Sequence, residues 1–295
     1  MAEPKFVGLM TAWCSEPWIE PALKQAIEYC DEVNVCVYCH SPELNKFEDN
    51  TADIVKKYKN KVKILNYRKK CKNHSICKAD ILNTMAHNSK LFEAGNWLWI
   101  LDSDEFYTRE SVNYIKKEIK QNSHFNQLCI QEKYFYINMH NNLVGDHHRL
   151  FRIEPENVED KKDFCFWPTQ NWRMRQKKIS TIPRRGKLGM FHYGMLTNPL
   201  LKLKFWQTEY PGQPQPMKIE WMNKIYFNYD IERPQKWLEL NEQLFGVKGC
   251  WFSDTFTGDH LGRPFRYDGE HPRWVRHLLD VKDFREYYLM KLEGK

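Results

Sequence analysis

Nothing at the start of the chain resembles an export signal. Met1 to Lys5 is short and polar, and the apolar run behind it ends by Thr11. No stretch approaches the roughly twenty apolar residues of a membrane span, and the chain has no internal repeat or low-complexity tract. A strong excess of one charge is also lacking. Lys and Arg total 45 against 38 Asp and Glu, a net +7 spread along the chain. That balance favours solubility and an anionic ligand over nucleic acid. The basic runs Arg68 to Lys72 and Arg173 to Lys178 read as solvated faces. Nine cysteines, an odd number behind no export signal, lead us to expect reduced thiols and a cytoplasmic location. Cys36-Val37-Tyr38-Cys39-His40 spells a haem-attachment motif, but that chemistry needs an exported chain. Cys36, Cys39, Cys71 and Cys77 are poorly spaced for zinc.

What is present is a foldable chain of 295 residues, 42% hydrophobic and 15% aromatic, enough for one large α/β domain or a core with an appended region. Its organising stretch is Trp97-Leu98-Trp99-Ile100-Leu101-Asp102-Ser103-Asp104. The continuous apolar run reads as a buried strand of a parallel sheet. It ends in two carboxylates, Asp102 and Asp104, whose spacing in extended backbone points both toward one hard cation. Ligands of open α/β sheets bind at that strand edge. The competing reading makes Asp104 the cap of a helix starting near Thr108.

Around this strand the pattern alternates. Lys5 to Thr11 reads as a first strand, Trp18 to Cys30 as a helix and Glu32 to Tyr38 as a second strand. Asp53 to Tyr58 is a short helix, Val62 to Leu65 a third strand, and Cys77 to Ala86 a helix. This order predicts a parallel sheet with right-handed crossovers.

The Lys78-Ala79-Asp80-Ile81-Leu82-Asn83 helix followed by Asp102-Ser103-Asp104 resembles the family 2 nucleotide-sugar glycosyltransferases. Their K-A-x-A-L-N and D-x-D signatures stand at these places. The likeness covers residues 5 to 155 well and is looser beyond. It implies the α/β GT-A (Rossmann-like) fold, with a mostly parallel central sheet flanked by helices and a C-terminal helical and loop extension. We divide the chain into a catalytic domain, 1–195, and an extension, 196–295, packing on it. Within the catalytic domain the nucleotide-sugar half runs to about 110 and the acceptor half follows. The resemblance further implies a nucleotide-diphosphate sugar donor, with a UDP-sugar favoured, a saccharide or other hydroxyl acceptor, and inversion at the anomeric carbon. Mn²⁺ or Mg²⁺ would be held by Asp102, Asp104 and His192, the last in Gly186 to Gly194. Thr11, Glu16, Lys78, Asp80, Asp102 and Ser103 fall where such enzymes bind the donor. Beside these roles stand plainer ones: Glu16 at a helix N-terminus, Lys78 and Asp80 as solvated helix charges, Asn83 bonding loop backbone, and His192 as a core histidine.

Downstream, Glu110 to Gln121 reads as a helix and Gln127 to Asn138 as a long strand. Asp146, His147 and His148 read as a loop entering a strand that carries Arg149-Leu150-Phe151-Arg152. An inverting transfer needs one general base. The short motif that usually carries it is not evident, which leaves Asp146 first and Glu132 second. Asn157 to Asp163 reads as a charged loop, and Phe164 to Trp172 as a core hairpin or a platform for a sugar ring. Asn198 to Thr208 and Pro234 to Phe245 read as helices. Two other classes compete: a degenerate member that binds sugar or nucleotide without turnover, and a nucleotidyltransferase. The second would want a glycine-rich phosphate loop after the first strand, and Thr11 to Pro17 contains no glycine.

Overall fold

The computed structural model describes residues 3–39, 44, 47–69, 74–122, 124–159, 165–166, 181–182, 189–208, 216–230, 232–246 and 265–292. The second basic run, the aromatics from 167 to 172, the prolines at 211 and 214, and residues 256–260 lie outside them. In the N-terminal half, strand and helix alternate as β1 (Phe6–Ala12), α1 (Ile19–Tyr29), β2 (Glu32–Val37), α2 (Thr51–Lys57), β3 (Lys63–Ile64), α3 (His74–His87) and β4 (Trp97–Ile100). The order β3-β2-β1-β4 is parallel throughout. β1 sits in its middle and obeys a period of two. Phe6 and Met10 join the core against α1 and α4 (Arg109–Gln121), while Val7 and Leu9 join the core against α3. Asn83 faces that second core, bonding the backbone of Phe166 in both directions at 3.1 and 2.7 Å.

Beyond β4 the sheet turns mixed. β5 (Glu105–Tyr107), β6 (Gln127–Tyr136), β7 (Asn138–Arg152) and β9 (Met190–His192) complete the order β4-β7-β6-β9-β5. β7 runs antiparallel to β4 and β6, and β9 parallel to β6. β8 (Thr181–Ile182) pairs β6 and β10 (Phe265–Arg266) pairs β7. This is the α/β sheet flanked by helices that was expected, parallel in its first half and mixed in its second.

Four local expectations are corrected. Asp146, His147 and His148 lie within the fifteen-residue β7 and not in a loop, because pairing with β6 continues through them. The start of the expected charged loop is helical, α5 (Pro155–Glu159), and the rest of it falls outside the described residues. α4 is capped by Thr108, whose side chain accepts from Ser111 N, and Asp104 takes no part in that cap. Cys77 is disulfide-bonded, so the expectation of reduced thiols fails there.

The C-terminal part adds α6 (Pro199–Thr208), α7 (Pro216–Lys224), α8 (Pro234–Phe245) and α9 (Phe284–Leu292). α9 wedges Phe284 and Tyr288 into the N-terminal core. There the fully buried Trp18 stacks on Tyr193 at 4.8 Å and on Phe284 at 5.4 Å, and its Nε1 donates to Leu196 O at 3.0 Å. Removing that indole opens a cavity at the junction of three chain segments. Trp18→Ala is expected to cost about 3–5 kcal/mol in urea unfolding.

A neighbouring buried group carries a pH signature. The Tyr193 hydroxyl meets His271 Nδ1 at 2.8 Å. Burial, and then the nearby His140, Lys133 and Arg276, push the His271 pKa down to about 4, with only the Met139 backbone favouring its charge. The unfolded chain takes up this proton near 6.5 and the fold refuses it. Stability is therefore full above about pH 6.5 and falls between 6.5 and 4, where the unfolded state binds more protons. Denaturation across that window should show a slope approaching one proton, removed in His271→Gln.

Candidate active site

The parallel strands deliver their C-terminal ends to one edge. There β1 runs into Thr11 to Ser15, β2 into Tyr38, and β4 into Asp102 to Asp104. No glycine makes the first of these turns; Cys14 takes the left-handed conformation itself, at φ 48°. The loops floor a cavity of about 430 Å³. Its far wall comes from β6, β7, β9, α6 and α7.

Asp102 is held, not free. Lys78 Nζ reaches its two oxygens at 2.7 and 2.8 Å, Arg149 lies 3.7 Å away, and Thr11 Oγ1 is at 3.5 Å. Burial opposes the charge, but Lys78 and then Arg149 hold the carboxyl well below the usual carboxylate range. Arg149 is itself buried and forks onto the fully buried Glu105, with Nε at 2.8 and 3.0 Å from its oxygens. Against the cost of burial, Glu105 and Asp102 hold the guanidinium protonated. Ser103 bonds Ser15 Oγ at 2.9 Å, which ties the two loops together.

Asp104 faces β9. Pairing of β5 with β9 sets Glu105 opposite His192, and Tyr193 N donates to Asp104 O at 2.8 Å. His192 Nε2 then lies 3.8 Å from Asp104 Oδ2, while its Nδ1 lies 2.9 Å from Glu132 Oε1. Burial works against a charged imidazole, but Glu132 and Asp104 outweigh it and push its pKa up to about 10. Gly194 leaves room for the ring: a Cβ there would fall 2.5 Å from His192 Nε2.

Glu132, 2% exposed, stands on β6 between the two histidine-bearing strands. Its Oε2 is 2.6 Å from His147 Nε2, an ion pair when that ring is protonated, and accepts no hydrogen bond among the described residues. Burial is overcome by His147 and His192, and the carboxyl is held far below its usual range. So low a proton affinity makes Glu132 a poor general base. Asp146 lies on β7 opposite Gln131, and its side chain falls outside the described residues.

Of the donor-binding residues expected from the sequence, Thr11, Lys78, Asp102 and Ser103 line the cavity together with Asp104 and His192. Glu16 and Asp80 do not. Glu16 is taken by Lys291 of α9 at 2.8 Å and by Asn50. Asp80 is taken by the Tyr67 hydroxyl and by Lys69 at 3.1 Å. Sequence reading missed Arg149 as a site residue, and with it Lys202, Trp206 and Lys218. The ammonium groups of Lys202 and Lys218 flank the Trp206 ring at 5.8 and 5.5 Å from its centre. The i,i+4 spacing of Lys202 and Trp206 was the available signal.

No protein-family model and no curated protein matches the chain. Similar solved structures include TarS of S. aureus, at 14% identity and TM-score 0.42, covering 82% of this chain and 49% of that one. A second is glucosyl-3-phosphoglycerate synthase of Mycobacterium tuberculosis, solved with Mn²⁺, UDP and glucosyl-3-phosphoglycerate. It shows 12% identity and TM-score 0.29, covering 45% of this chain and 44% of that one. A third is mannose-6-phosphate isomerase of Helicobacter pylori, at 14% identity and TM-score 0.30, covering 54% and 65%. The chain thus spans about half the length of the first two. At these values the likenesses carry no argument about activity, and the chemistry is read from the pocket. No helix among the described residues is long and apolar enough to cross a membrane.

The Glu105–Arg149 pair generates a prediction. Arg149→Met strands a buried carboxylate and is expected to cost about 3–5 kcal/mol in chemical unfolding. Glu105→Gln in the same chain should recover much of that loss, since the stranded charge is then gone.

Proposed function

We propose that the chain is a metal-dependent glycosyltransferase that moves a sugar from a nucleotide-diphosphate sugar, a UDP-sugar in the first instance, to an acceptor hydroxyl with inversion. The observation that carries this reading is the placement of Asp102, Asp104, Lys78, Arg149 and His192 around one cavity at the carboxyl edge of the parallel strands. Such a floor sets the ammonium of Lys78 at Asp102 next to the carboxylate of Asp104, groups that suit a diphosphate and a divalent cation side by side.

The residues present fit a cation: a buried carboxylate oxygen on Glu132 lacks a hydrogen bond, and Gly194 keeps space beside His192. Asp104 and His192 would hold it, while Asp102 is bound to Lys78 and Arg149 and supports them. When bound, Mn²⁺ or Mg²⁺ supplies Lewis-acid stabilisation of the leaving diphosphate. Lys78 and Lys202 contribute further positive charge to the same group. Trp13 and Tyr38 line the end of the cavity where a base would lie, and Trp206 offers an apolar ring to a sugar. A single displacement needs one proton acceptor on the attacking hydroxyl. Glu132 is engaged by two imidazoles, and Asp146 alternates along β7 with the cavity-lining His147 and Arg149, so neither is given that role. Residues 1–195 would carry the transfer, and 196–295 would shape the acceptor side.

Incubation with UDP-sugars and Mn²⁺ should release UDP; release of pyrophosphate from a nucleotide substrate would instead indicate nucleotidyl transfer. Asp104→Ala should weaken Mn²⁺-dependent UDP-sugar binding, measured calorimetrically, by roughly 100-fold, and unchanged affinity removes Asp104 from the mechanism.

A further inference from the structure

Adjacent strands of the mixed half-sheet, in the order β7-β6-β9, each contribute one polar side chain to the same end of the cavity. Glu132 comes from the middle strand, His147 from one neighbour and His192 from the other. On β7 the residue paired with Glu132 is Gly145, and on β9 it is Met190. Each histidine lies two positions further along its strand, so both are diagonal neighbours of Glu132 on one face of the sheet. One ligand atom from each of the three lies within 4.8 Å of the others.

One arm of this group is hydrogen-bonded, His192 Nδ1 to Glu132 Oε1 at 2.9 Å, and the other is not. Glu132 Oε2 is buried and makes no hydrogen bond, yet an imidazole nitrogen stands 2.6 Å away from it. With both rings neutral, a carboxylate and two ring nitrogens gathered this closely can give their lone pairs to a single ion. The carboxylate that the sequence offered first, Asp102, is otherwise engaged: Lys78 bonds both of its oxygens and Arg149 stands behind. Lone pairs committed to an ammonium are poorly placed to seat an ion as well.

We propose that the divalent cation of this pocket is seated by Glu132, His147 and His192, two imidazoles and a carboxylate. The ion is then a transition metal and not Mg²⁺. Resting on the metal-dependent reading above, this assignment changes the ligand set and the choice of metal. Mg²⁺ demands oxygen ligands in a near-ideal octahedron and sheds water reluctantly. Imidazole nitrogen favours the first-row transition ions, with affinity rising from Mn²⁺ to Co²⁺ and Zn²⁺. Carboxylate and imidazole together keep Mn²⁺ within range, so Mn²⁺ supports the reaction while Mg²⁺ supports it poorly.

The test uses metal alone, without donor. Calorimetric titration of the full chain with Mg²⁺, Mn²⁺, Co²⁺ and Zn²⁺ should rank Mg²⁺ weakest, at least roughly tenfold below Mn²⁺, with Co²⁺ and Zn²⁺ tighter still. Co²⁺ loading should give visible absorption bands characteristic of nitrogen ligation. His147→Ala and Glu132→Gln should each weaken Co²⁺ binding by roughly 100-fold and alter those bands, with thermal midpoints in EDTA checking that the variants fold. Equal affinity for Mg²⁺ and Mn²⁺ in the unaltered chain overturns the assignment without recourse to any variant. So does a folded His147→Ala chain with Co²⁺ affinity and spectrum intact. If that chain keeps its metal while Asp104→Ala abolishes UDP-sugar binding, the transferase reading stands and the ligand set proposed here falls.

Discussion

The buried guanidinium of Arg149 is the fixed point of the pocket. It enters from β7, forks onto Glu105 at the start of β5, and reaches Asp102 at the end of β4. Three chain segments that diverge beyond the sheet edge are thereby pinned to one planar cation. A buried charge tolerates this only when its partners are complete, and Glu105 and Asp102 complete it. Lys78 then settles on Asp102 from α3, and the floor becomes a fixed pattern of charge before any ligand arrives.

The mixed half of the sheet does the complementary work. Parallel strands alone would present loops at their carboxyl edge. The antiparallel return of β7, with β9 alongside β6, places side chains on rigid strands across from those loops. His192 depends on this arrangement twice: the β5–β9 register sets it beside Asp104, and Gly194 leaves its ring unobstructed. The C-terminal helix α9 reinforces the same region from behind. Phe284 stacks on Trp18, Tyr288 bonds Glu16 O at 2.7 Å, and Lys291 claims the Glu16 carboxylate. A residue that would otherwise sit at the pocket rim becomes a structural tie.

Much of the fold was legible because its first half obeys local rules. Apolar runs bounded by polar turns marked β1, β2 and β4, and helical periodicity marked α1 and α3. The stretch Asn138 to His148 was the harder case. Its last three residues, Asp146 to His148, read as a loop by composition, but their backbone is paired on β6, and pairing overrides propensity in strands. Arg149 went unread for a related reason. One arginine in Arg149-Leu150-Phe151-Arg152 is buried under the cavity and the other pairs with Glu154 at the surface, and only strand register distinguishes them.

The order of residues by itself determined that a buried strand would end in Asp102 and Asp104, and that Lys78 and His192 would come from flanking elements. Those are consequences of periodicity, which is local. Tertiary structure alone decided which charges are free to act. Asp102 was given to Lys78 and Arg149, Asp80 to Tyr67 and Lys69, and Glu16 to Lys291, while Glu132 was drawn between two histidines. Charge pairing falls off within a few ångströms, so it depends on distances between segments up to 275 residues apart in the chain. No pattern of neighbours along the sequence encodes those distances.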